Sequence, residues 1–172
     1  SQRGYRLLAC RPMLAGMERS GDTRFSALLE RLYGGLDAEP PWAAFLEALA
    51  AWLDCAFATL IITAPGRAQP GTFVTPGADG GLSRSYIERF FVDDPFRGLP
   101  EGRVTSFREF MAGHDPARFA AYREYLRDVG GEQVLGVDLR FPGQFEARLR
   151  VTRPEDRPDF TPEDRQRFQR LV

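Results

Sequence analysis

Few residues in this chain have the types and spacing that enzyme catalysis requires. The sequence contains no GxSxG elbow, no phosphate-binding GxxxxGK(S/T) loop and no dinucleotide-binding GxGxxG turn. Its one histidine, His114, directly precedes Asp115. The pair could form a general base oriented by a carboxylate, but a loop residue before an Asp115 helix cap is the favoured interpretation. The sequence therefore predicts a protein that is not an enzyme.

Metal and cofactor sites are equally hard to place. Without a second histidine or a CxxC pair, a transition-metal site would need carboxylates that the sequence does not bring together. Cys10 and Cys55 are far apart and form no disulfide framework, which fits a reduced cytoplasm. We therefore expect no metal, no cofactor and a cytoplasmic location.

Aromatic residues in the middle of the chain offer a different chemistry, the binding of a small and mostly apolar molecule. They are Phe73, Tyr86, Phe90, Phe91, Phe96, Phe107, Phe110, Phe119, Tyr122 and Tyr125. Such rings can form the walls of a pocket, and tyrosine hydroxyls can orient a ligand. The same residues could instead cover a sheet as ordinary core, which composition alone favours. Asp94, which precedes Pro95, could be a ligand acceptor or a turn residue.

The charge balance limits the partners of this segment. Its 23 basic side chains, all arginine, face 24 acidic ones, for a net charge of −1. We therefore expect no direct contact with DNA or with an anionic membrane.

The longest nearly uninterrupted apolar run, residues 55–62, is too short to cross a bilayer. A length of 172 residues with 43% hydrophobic content suits one globular domain.

The first regular pattern predicts two helices. From Asp22 onward, one helical face is formed by Phe25, Leu28, Leu29, Leu32, Tyr33 and Leu36. After Pro40 and Pro41, a second and more aromatic face is formed by Trp42, Phe45, Leu46, Leu49, Trp52 and Leu53. Residues 1–16 carry no clear period, so residues 1–20 are predicted to be a poorly structured leader or an addition to the natural chain.

A sheet and a helical segment are predicted next. Residues 55–63 are apolar on both alternating faces, as in a central strand, and residues 72–75 could return as an edge strand before a flexible loop over 76–81. Three further helices are predicted, roughly over residues 84–92, 106–112 and 116–128. Their capping signals are Ser85 with Glu88, Ser106 with Glu109, and Asp115 before Pro116.

Residues 133–141 and 145–152 alternate in polarity, and the pairing register of a hairpin can be derived from them. A two-residue loop would place Leu139 opposite Glu146. A three-residue loop instead pairs Leu135 with Val151, Val137 with Leu149, Leu139 with Ala147, Phe141 with Phe145, Asp138 with Arg148 and Arg140 with Glu146. An exposed ion pair contributes only ~0.2–1 kcal/mol, so the apolar face sets this register.

The last segment predicts a capped helix. Thr161, Pro162 and Asp164 form a capping-box pattern, and Phe168, Leu171 and Val172 begin an apolar stripe that should pack on the first two helices or on a partner's copy. We expect the chain to continue beyond this stripe. Together the elements predict an α/β sandwich with helices on both faces of a small, mainly antiparallel sheet, the layout of PAS and GAF sensor domains.

Four segments resemble the amino-terminal sensory region of LuxR-type helix-turn-helix regulators. They are residues 86–95, 102–106, 122–130 and 158–168. The resemblance implies a single sensory domain over residues 21–172, followed by a DNA-binding domain beyond residue 172. In autoinducer receptors of this class an aromatic ladder precedes Asp-Pro, and the resemblance places Tyr86, Phe90 and Asp94 at such positions. A Phe replaces an expected Tyr and the helical segment has no Trp, which argues against an acyl-homoserine lactone ligand.

We therefore expect a ligand-responsive sensory domain of a transcription regulator, acting as a homodimer. The expected ligand-binding residues are Phe73, Tyr86, Phe90, Phe91, Asp94, Phe107, Phe110, Tyr122 and Tyr125. One alternative is a ligand-free dimerisation module, which a filled aromatic cluster without a cavity near Asp94 would favour. The other is a small enzyme using Asp93 and Asp94, which an acidic pair in a cleft would favour.

Overall fold

The computed structural model describes the backbone of residues 11–172 and the side chains of residues 23–172. Its helices are α1 (Arg11–Gly34), α2 (Ala43–Trp52), α3 (Gly80–Arg89), α4 (Phe107–Ala112), α5 (Ala120–Asp128) and α6 (Pro162–Gln169), with a 3-10 turn over Pro116–Phe119. Its strands are β1 (Phe57–Thr63), β2 (Thr72–Val74), β3 (Thr105–Ser106), β4 (Gln133–Phe141) and β5 (Phe145–Arg153). The strands form one antiparallel sheet in the order β2-β1-β5-β4-β3. The predicted α/β sandwich is confirmed.

One face of the sheet packs against α1, α2 and α6. Phe45, Leu46 and Leu49 of α2 are fully or almost fully buried there, together with Val137 and Val151 of the sheet. Burial of such side chains stabilises the fold by about 1.5–3 kcal/mol each. The aromatic and aliphatic face predicted for α2 is therefore the main contact between this helix and the sheet.

Helix α1 differs from its prediction at both ends. It already includes residues 11–20, which belong to the predicted leader and of which 11–16 show no clear hydrophobic period. Residues 1–10 lie outside the described residues. Leu28 is buried as predicted, but Tyr33 and Leu36 are 83% and 64% exposed. The helix ends at Gly34, so Leu36 no longer lies on the helical stripe, and Tyr33 lies on the solvent side of the last turn.

The opposite face of the sheet is covered by residues 80–128, which we call the helical insert. Helix α3 begins at Gly80, within the predicted loop, because the Asp79 side chain accepts hydrogen bonds from the backbone N–H groups of Gly81 and Leu82. The predicted capping role of Ser85 is therefore wrong. Ser106 and Asp115 cap the next two elements as predicted.

The register of the β4–β5 hairpin is confirmed over its whole length, including Leu139 opposite Ala147 and Phe141 opposite Phe145. The prediction that its polar face is exposed is wrong. Asp138 and Arg148 lie opposite each other but are only 0% and 1% exposed. The helical insert covers this face, so its charged side chains must find partners inside the protein. We call this side of the sheet the pocket face.

Helix α6 packs against α1 and α2. Its predicted capping box is present, with Thr161 and Asp164 each bonding the backbone of the other. Phe168 is fully buried in the core formed with α2, and Leu171 packs against the same core. The prediction that this stripe packs on the first two helices is confirmed for these two residues, whereas Val172 is 45% exposed.

Arginine side chains strengthen this contact. The Arg167 guanidinium lies 4.8 Å from the centre of the Trp52 ring, and the Arg170 guanidinium lies 4.2 Å from that of Phe25. Each such cation–π contact contributes about 0.5–1 kcal/mol when exposed and more when desolvated.

Within the described residues, no helix is long and apolar enough to span a membrane.

Candidate ligand-binding pocket

A cavity of about 240 Å³ lies between the pocket face and the helical insert. Strands β1 and β5 supply its floor, while α3 and α5 supply its walls. The lining residues are Phe57, Thr59, Ile61, Phe73, Thr75, Ala78, Asp79, Leu82, Ser83, Tyr86, Asp94, Tyr122, Tyr125, Leu126, Val129, Val134, Arg150 and Thr152. Apolar and aromatic walls with a few polar groups are typical of sites that bind small organic molecules.

The aromatic walls are held in place by ring contacts across several elements. Tyr86 of α3 lies 5.4 Å from Phe73 of β2 and 6.0 Å from Tyr125 of α5, measured between ring centres. Phe90 lies 5.4 Å from Tyr122 in an edge-to-face arrangement. Such pairs add about 0.5–1.5 kcal/mol each beyond the burial of their area. The walls are therefore preorganised and do not need a ligand to assemble them.

Asp94 is buried at one end of this cavity. Its Oδ2 accepts a hydrogen bond from the Tyr86 hydroxyl at 2.5 Å, and its Oδ1 accepts one from the Phe96 backbone N–H at 2.8 Å. The second bond is local, since an Asp side chain that bonds the backbone two residues on forms an Asx turn. Asp94 thus combines the predicted turn role with a place in the lining of the cavity.

Two buried arginines supply the positive charge of the pocket face. Arg148 Nη1 lies 3.5 Å from Asp94 Oδ2, and Arg148 Nε donates to Glu146 at 2.9 Å. Arg150 Nη2 donates to Asp138 Oδ1 at 2.7 Å and to the Phe96 carbonyl at 3.0 Å. The predicted register of Asp138 opposite Arg148 is confirmed, but the ion pair expected between them is not formed. Asp138 instead pairs with Arg150 and Arg140, and Arg148 pairs with Asp94 and Glu146.

Gly136 explains how Arg150 reaches Asp138. It lies opposite Arg150 on β4, and a Cβ at this position would lie only 2.8 Å from Arg150 Cδ. The Arg150 side chain therefore crosses the strand in the space that any other residue would fill.

Burial keeps the pocket tyrosines protonated. Desolvation, reinforced by the charge of Asp94, raises the pKa of Tyr86 and Tyr122 well above the usual tyrosine range and the pKa of Tyr125 to about 12. Burial opposes the charge of Arg148, but the neighbouring Tyr86, Glu146 and Asp94 raise the pKa of its guanidinium overall. At neutral pH the cavity thus presents tyrosine hydroxyl groups together with the side chains of Asp94 and Arg150.

Threonine hydroxyls form the remaining polar groups of the floor. Thr59 Oγ1 and Thr75 Oγ1 lie 2.8 Å apart and share a hydrogen bond. Thr152 Oγ1 is buried and has no hydrogen-bond partner among the described residues. This oxygen packs against Gly131, where an added Cβ would lie 3.0 Å from it, so it is shielded from the cavity.

The structure brings together only part of the predicted site. Phe73, Tyr86, Asp94, Tyr122 and Tyr125 line the cavity. The other predicted residues pack in the aromatic cluster without lining it; they are Phe90, Phe91, Phe107 and Phe110. Sequence reasoning did not identify Thr59, Thr75, Arg150 and Thr152. The polar positions that alternate along residues 148–152 were the available signal, but they also fit a solvent-facing strand.

The remaining candidate residues do not form a catalytic site. His114 is exposed and its Nδ1 lies 2.7 Å from the Phe110 carbonyl, as a loop residue after α4. Asp93 is exposed while Asp94 is buried, so the two do not share a cleft. No group of three or more potential metal-ligating side chains occurs in the described part of the chain.

Neither the family models nor the curated proteins contain a match to this chain. Solved structures do match it. SdiA in complex with octanoyl-rac-glycerol is 16% identical with a TM-score of 0.61, over 96% of this chain and 65% of that chain. The N-acylhomoserine lactone dependent LuxR family transcription factor CepR2 from Burkholderia cenocepacia is 15% identical with a TM-score of 0.64, over 88% of each chain.

A third neighbour is the ligand-binding domain of VqsR from Pseudomonas aeruginosa, 17% identical with a TM-score of 0.59, over 88% of this chain and 89% of that chain. These comparisons confirm at the level of fold the resemblance to the sensory region of LuxR-type regulators. The chain spans 65% of the SdiA chain in the first match and 62% of the Escherichia coli SdiA chain in a second.

Proposed function

We propose that this chain is the ligand-responsive sensory domain of a LuxR-type transcription regulator. The observation that carries the proposal is the cavity between the pocket face and the helical insert, which has preorganised aromatic walls and a small number of polar groups. The fold shared with CepR2 and the VqsR ligand-binding domain supports it. The proposed ligand is a small, largely apolar molecule.

Regulation requires that ligand binding change what a DNA-binding domain does. We propose that this domain follows residue 172, and that residues 21–172 act as one sensory unit, cytoplasmic and homodimeric. A ligand can act only if it binds one arrangement of the protein better than another. Helix α6 is the element through which such a change would pass, since its Gln169 side chain bonds both the Gly102 carbonyl and the Val104 backbone N–H ahead of β3.

The two alternative functions have less support. A ligand-free dimerisation module would have a filled aromatic cluster near Asp94, but Asp94 lines a cavity. A carboxylate enzyme would need Asp93 and Asp94 to converge on one cleft, but only Asp94 is buried. The sensory function is therefore the one that fits the geometry best.

A thermal-shift screen of small apolar molecules tests the proposed function. A ligand present at 100 times its dissociation constant is expected to stabilise the chain by ~2.7 kcal/mol. The variant Ala78→Phe, which fills the cavity, should lose this stabilisation. Ala112→Phe, an equal change at an exposed position away from the cavity, should retain it.

Hits that stabilise Ala78→Phe as strongly as the wild type would show that they bind elsewhere. A screen without any hit, repeated on the full-length protein, would contradict a ligand-responsive function. Sequencing the gene beyond the codon of Val172 tests the attached domain, and an immediate stop codon would contradict it.

A further inference from the structure

The Tyr122 hydroxyl is a polar group of the cavity without a protein partner. Tyr122 is 5% exposed and lines the cavity, yet its hydroxyl forms no hydrogen bond among the described residues. Unlike the sealed oxygens of Thr63 and Thr152, this oxygen keeps accessible surface. Because Tyr122 is otherwise buried, that surface faces the cavity. Buried hydroxyls are usually paired, so Tyr122 is a candidate to bond a molecule in the cavity.

The other two tyrosines that line the cavity already donate their protons inside the protein. Tyr86 donates to Asp94 Oδ2, and Tyr125 donates to the Leu82 carbonyl. A hydroxyl group carries a single proton, so these two oxygens can only accept a further hydrogen bond. Tyr122 is therefore the tyrosine of the cavity whose proton is available to a ligand.

Asp94 provides an acceptor close to the Tyr122 hydroxyl. Both residues line the cavity, and the charge of Asp94 adds to the burial that raises the pKa of Tyr122 and keeps it protonated. Each Asp94 oxygen accepts one hydrogen bond from the protein, whereas an ionised carboxylate can accept about four in all. A ligand group can therefore donate to Asp94 while it accepts from Tyr122. A hydroxyl group does both with one oxygen atom.

The charged groups around the cavity favour a ligand without charge. Arg148 Nη1 lies 3.5 Å from Asp94 Oδ2, and Arg150 Nη2 donates to Asp138 Oδ1 at 2.7 Å. A charged ligand would have to compete with these internal partners after it has lost its own hydration. An uncharged hydroxyl group avoids this cost.

The size of the cavity limits the rest of the ligand. Its volume of about 240 Å³ is below the ~300–1,000 Å³ typical of pockets for drug-sized molecules. It is larger than a cavity of roughly 150 Å³, which is sufficient to bind benzene. A molecule with one ring and a short chain therefore fits, and the rings of Phe73, Tyr86 and Tyr125 offer it apolar walls.

We propose that the cavity binds a small uncharged molecule with a hydroxyl group, and that this group accepts a hydrogen bond from Tyr122 and donates one to Asp94. This ligand class rests on the proposed sensory function. Tyr122 is the residue that distinguishes a hydroxyl group from a methyl group of the same size.

Two probes of equal shape test this assignment. They are 4-ethylphenol and 4-ethyltoluene, in which a methyl group replaces the hydroxyl. Titration calorimetry on the whole chain gives the affinity of each, and the ratio of the two affinities is the readout. Tyr122→Phe should shift this ratio about tenfold in favour of 4-ethyltoluene, because the phenol loses its donor and the methyl probe no longer leaves a buried hydroxyl unpaired.

Tyr125→Phe is the matched comparison on the same helix. Tyr125 also lines the cavity, but its hydroxyl already bonds the Leu82 carbonyl. Any effect of this variant should therefore change both affinities alike and keep their ratio within about twofold. A shift as large as that of Tyr122→Phe would contradict the role assigned to Tyr122.

A stability measurement separates this role from a structural one. Tyr122→Phe should leave the free energy of unfolding of the ligand-free chain unchanged or raise it, because it removes a buried hydroxyl that has no partner. Tyr86→Phe should lower this free energy, because it removes the hydrogen bond to Asp94. An equal loss in the two variants would show that the Tyr122 hydroxyl is bonded within the protein, which would overturn the inference.

Three binding results would also overturn it. They are an unchanged ratio in Tyr122→Phe, binding of neither probe to the wild type, and binding of 4-ethylphenol to Ala78→Phe as tightly as to the wild type. Each leaves the proposed sensory function to be decided by the broader screen of apolar molecules, so the two failures are distinguishable.

Discussion

Replacement of Gly136 by alanine is expected to destabilise the fold, although it adds only one methyl group. An alanine Cβ at this position would lie 2.8 Å from Arg150 Cδ and 2.8 Å from Phe96 Cε1. Both neighbours are buried, and Arg150 is also held by its ion pair with Asp138. One of them must therefore move.

The expected size of this destabilisation combines one stabilising effect with two destabilising ones. Removal of a glycine from a strand would by itself stabilise the protein by about 0.5–1 kcal/mol. Overpacking of a filled core costs about 1–3 kcal/mol. If Arg150 is pushed off Asp138, the buried carboxylate loses its shorter ion pair but keeps Arg140 at 3.5 Å and the backbone N–H groups of Gly98 and Leu99, so the added cost stays below the about 3–5 kcal/mol of a buried charge left unpaired. We therefore expect a net loss of about 1–3 kcal/mol in the free energy of unfolding, with partial displacement of Arg150.

Urea unfolding followed by circular dichroism measures this loss. Gly71→Ala is the matched control, because the nearest atom to its Cβ is the Ile62 carbonyl oxygen at an ordinary 3.6 Å. The control should change the free energy of unfolding by less than about 0.5 kcal/mol. A Gly136→Ala variant as stable as this control would refute the role assigned to Gly136.

Three other features allow direct tests. Thr161→Ala should cost about 1 kcal/mol in urea unfolding, because it removes the N-cap of α6. Burial of Asp164 works against its charge, but the Thr161 hydrogen bonds and Arg153 lower its pKa below 3.8 overall. The contribution of Asp164 to stability is therefore present above that pH and lost in more acidic solution. Asp164→Asn should flatten this acid dependence of the unfolding free energy, and an unchanged slope would contradict the assignment. Burial raises the pKa of the Cys55 thiol to about 12. In a Cys10→Ser background, iodoacetamide should therefore alkylate the folded protein at least ~100-fold more slowly than the urea-unfolded protein at the same pH. Equal rates would show that the thiol is accessible and ionised.

Local signals in the sequence were sufficient for much of the fold. The β4–β5 register was predictable because a shift by one residue would move every apolar side chain to the wrong face. The start of α6 was predictable because Thr161 and Asp164 carry their own capping bonds. The start of α3 was not, because Gly80 and Gly81 are typical of a loop and only the Asp79 side chain turns them into a helix.

The pocket was harder to predict from the sequence, because alternation of polar and apolar residues along a strand does not show what covers each face of the sheet. Arg148, Arg150 and Thr152 alternate with apolar residues, as they would beside water, yet the helical insert buries both arginines and leaves Thr152 half-buried. The aromatic residues were identified as a group, but which of them lines the cavity depends on the packing of α3 against α5. Phe90 and Tyr86 are only four residues apart, and only Tyr86 reaches the cavity.

The Gln169 side chain gives helix α6 a built-in reporter. Its amide accepts from the Val104 backbone N–H at 2.9 Å and donates to the Gly102 carbonyl at 2.7 Å, as a neighbouring strand would. The exchange of one backbone proton with solvent deuterium is therefore controlled by a side chain 65 positions away in the sequence. Deuterium uptake at Val104 measures how often α6 leaves its place, without any label on the helix itself.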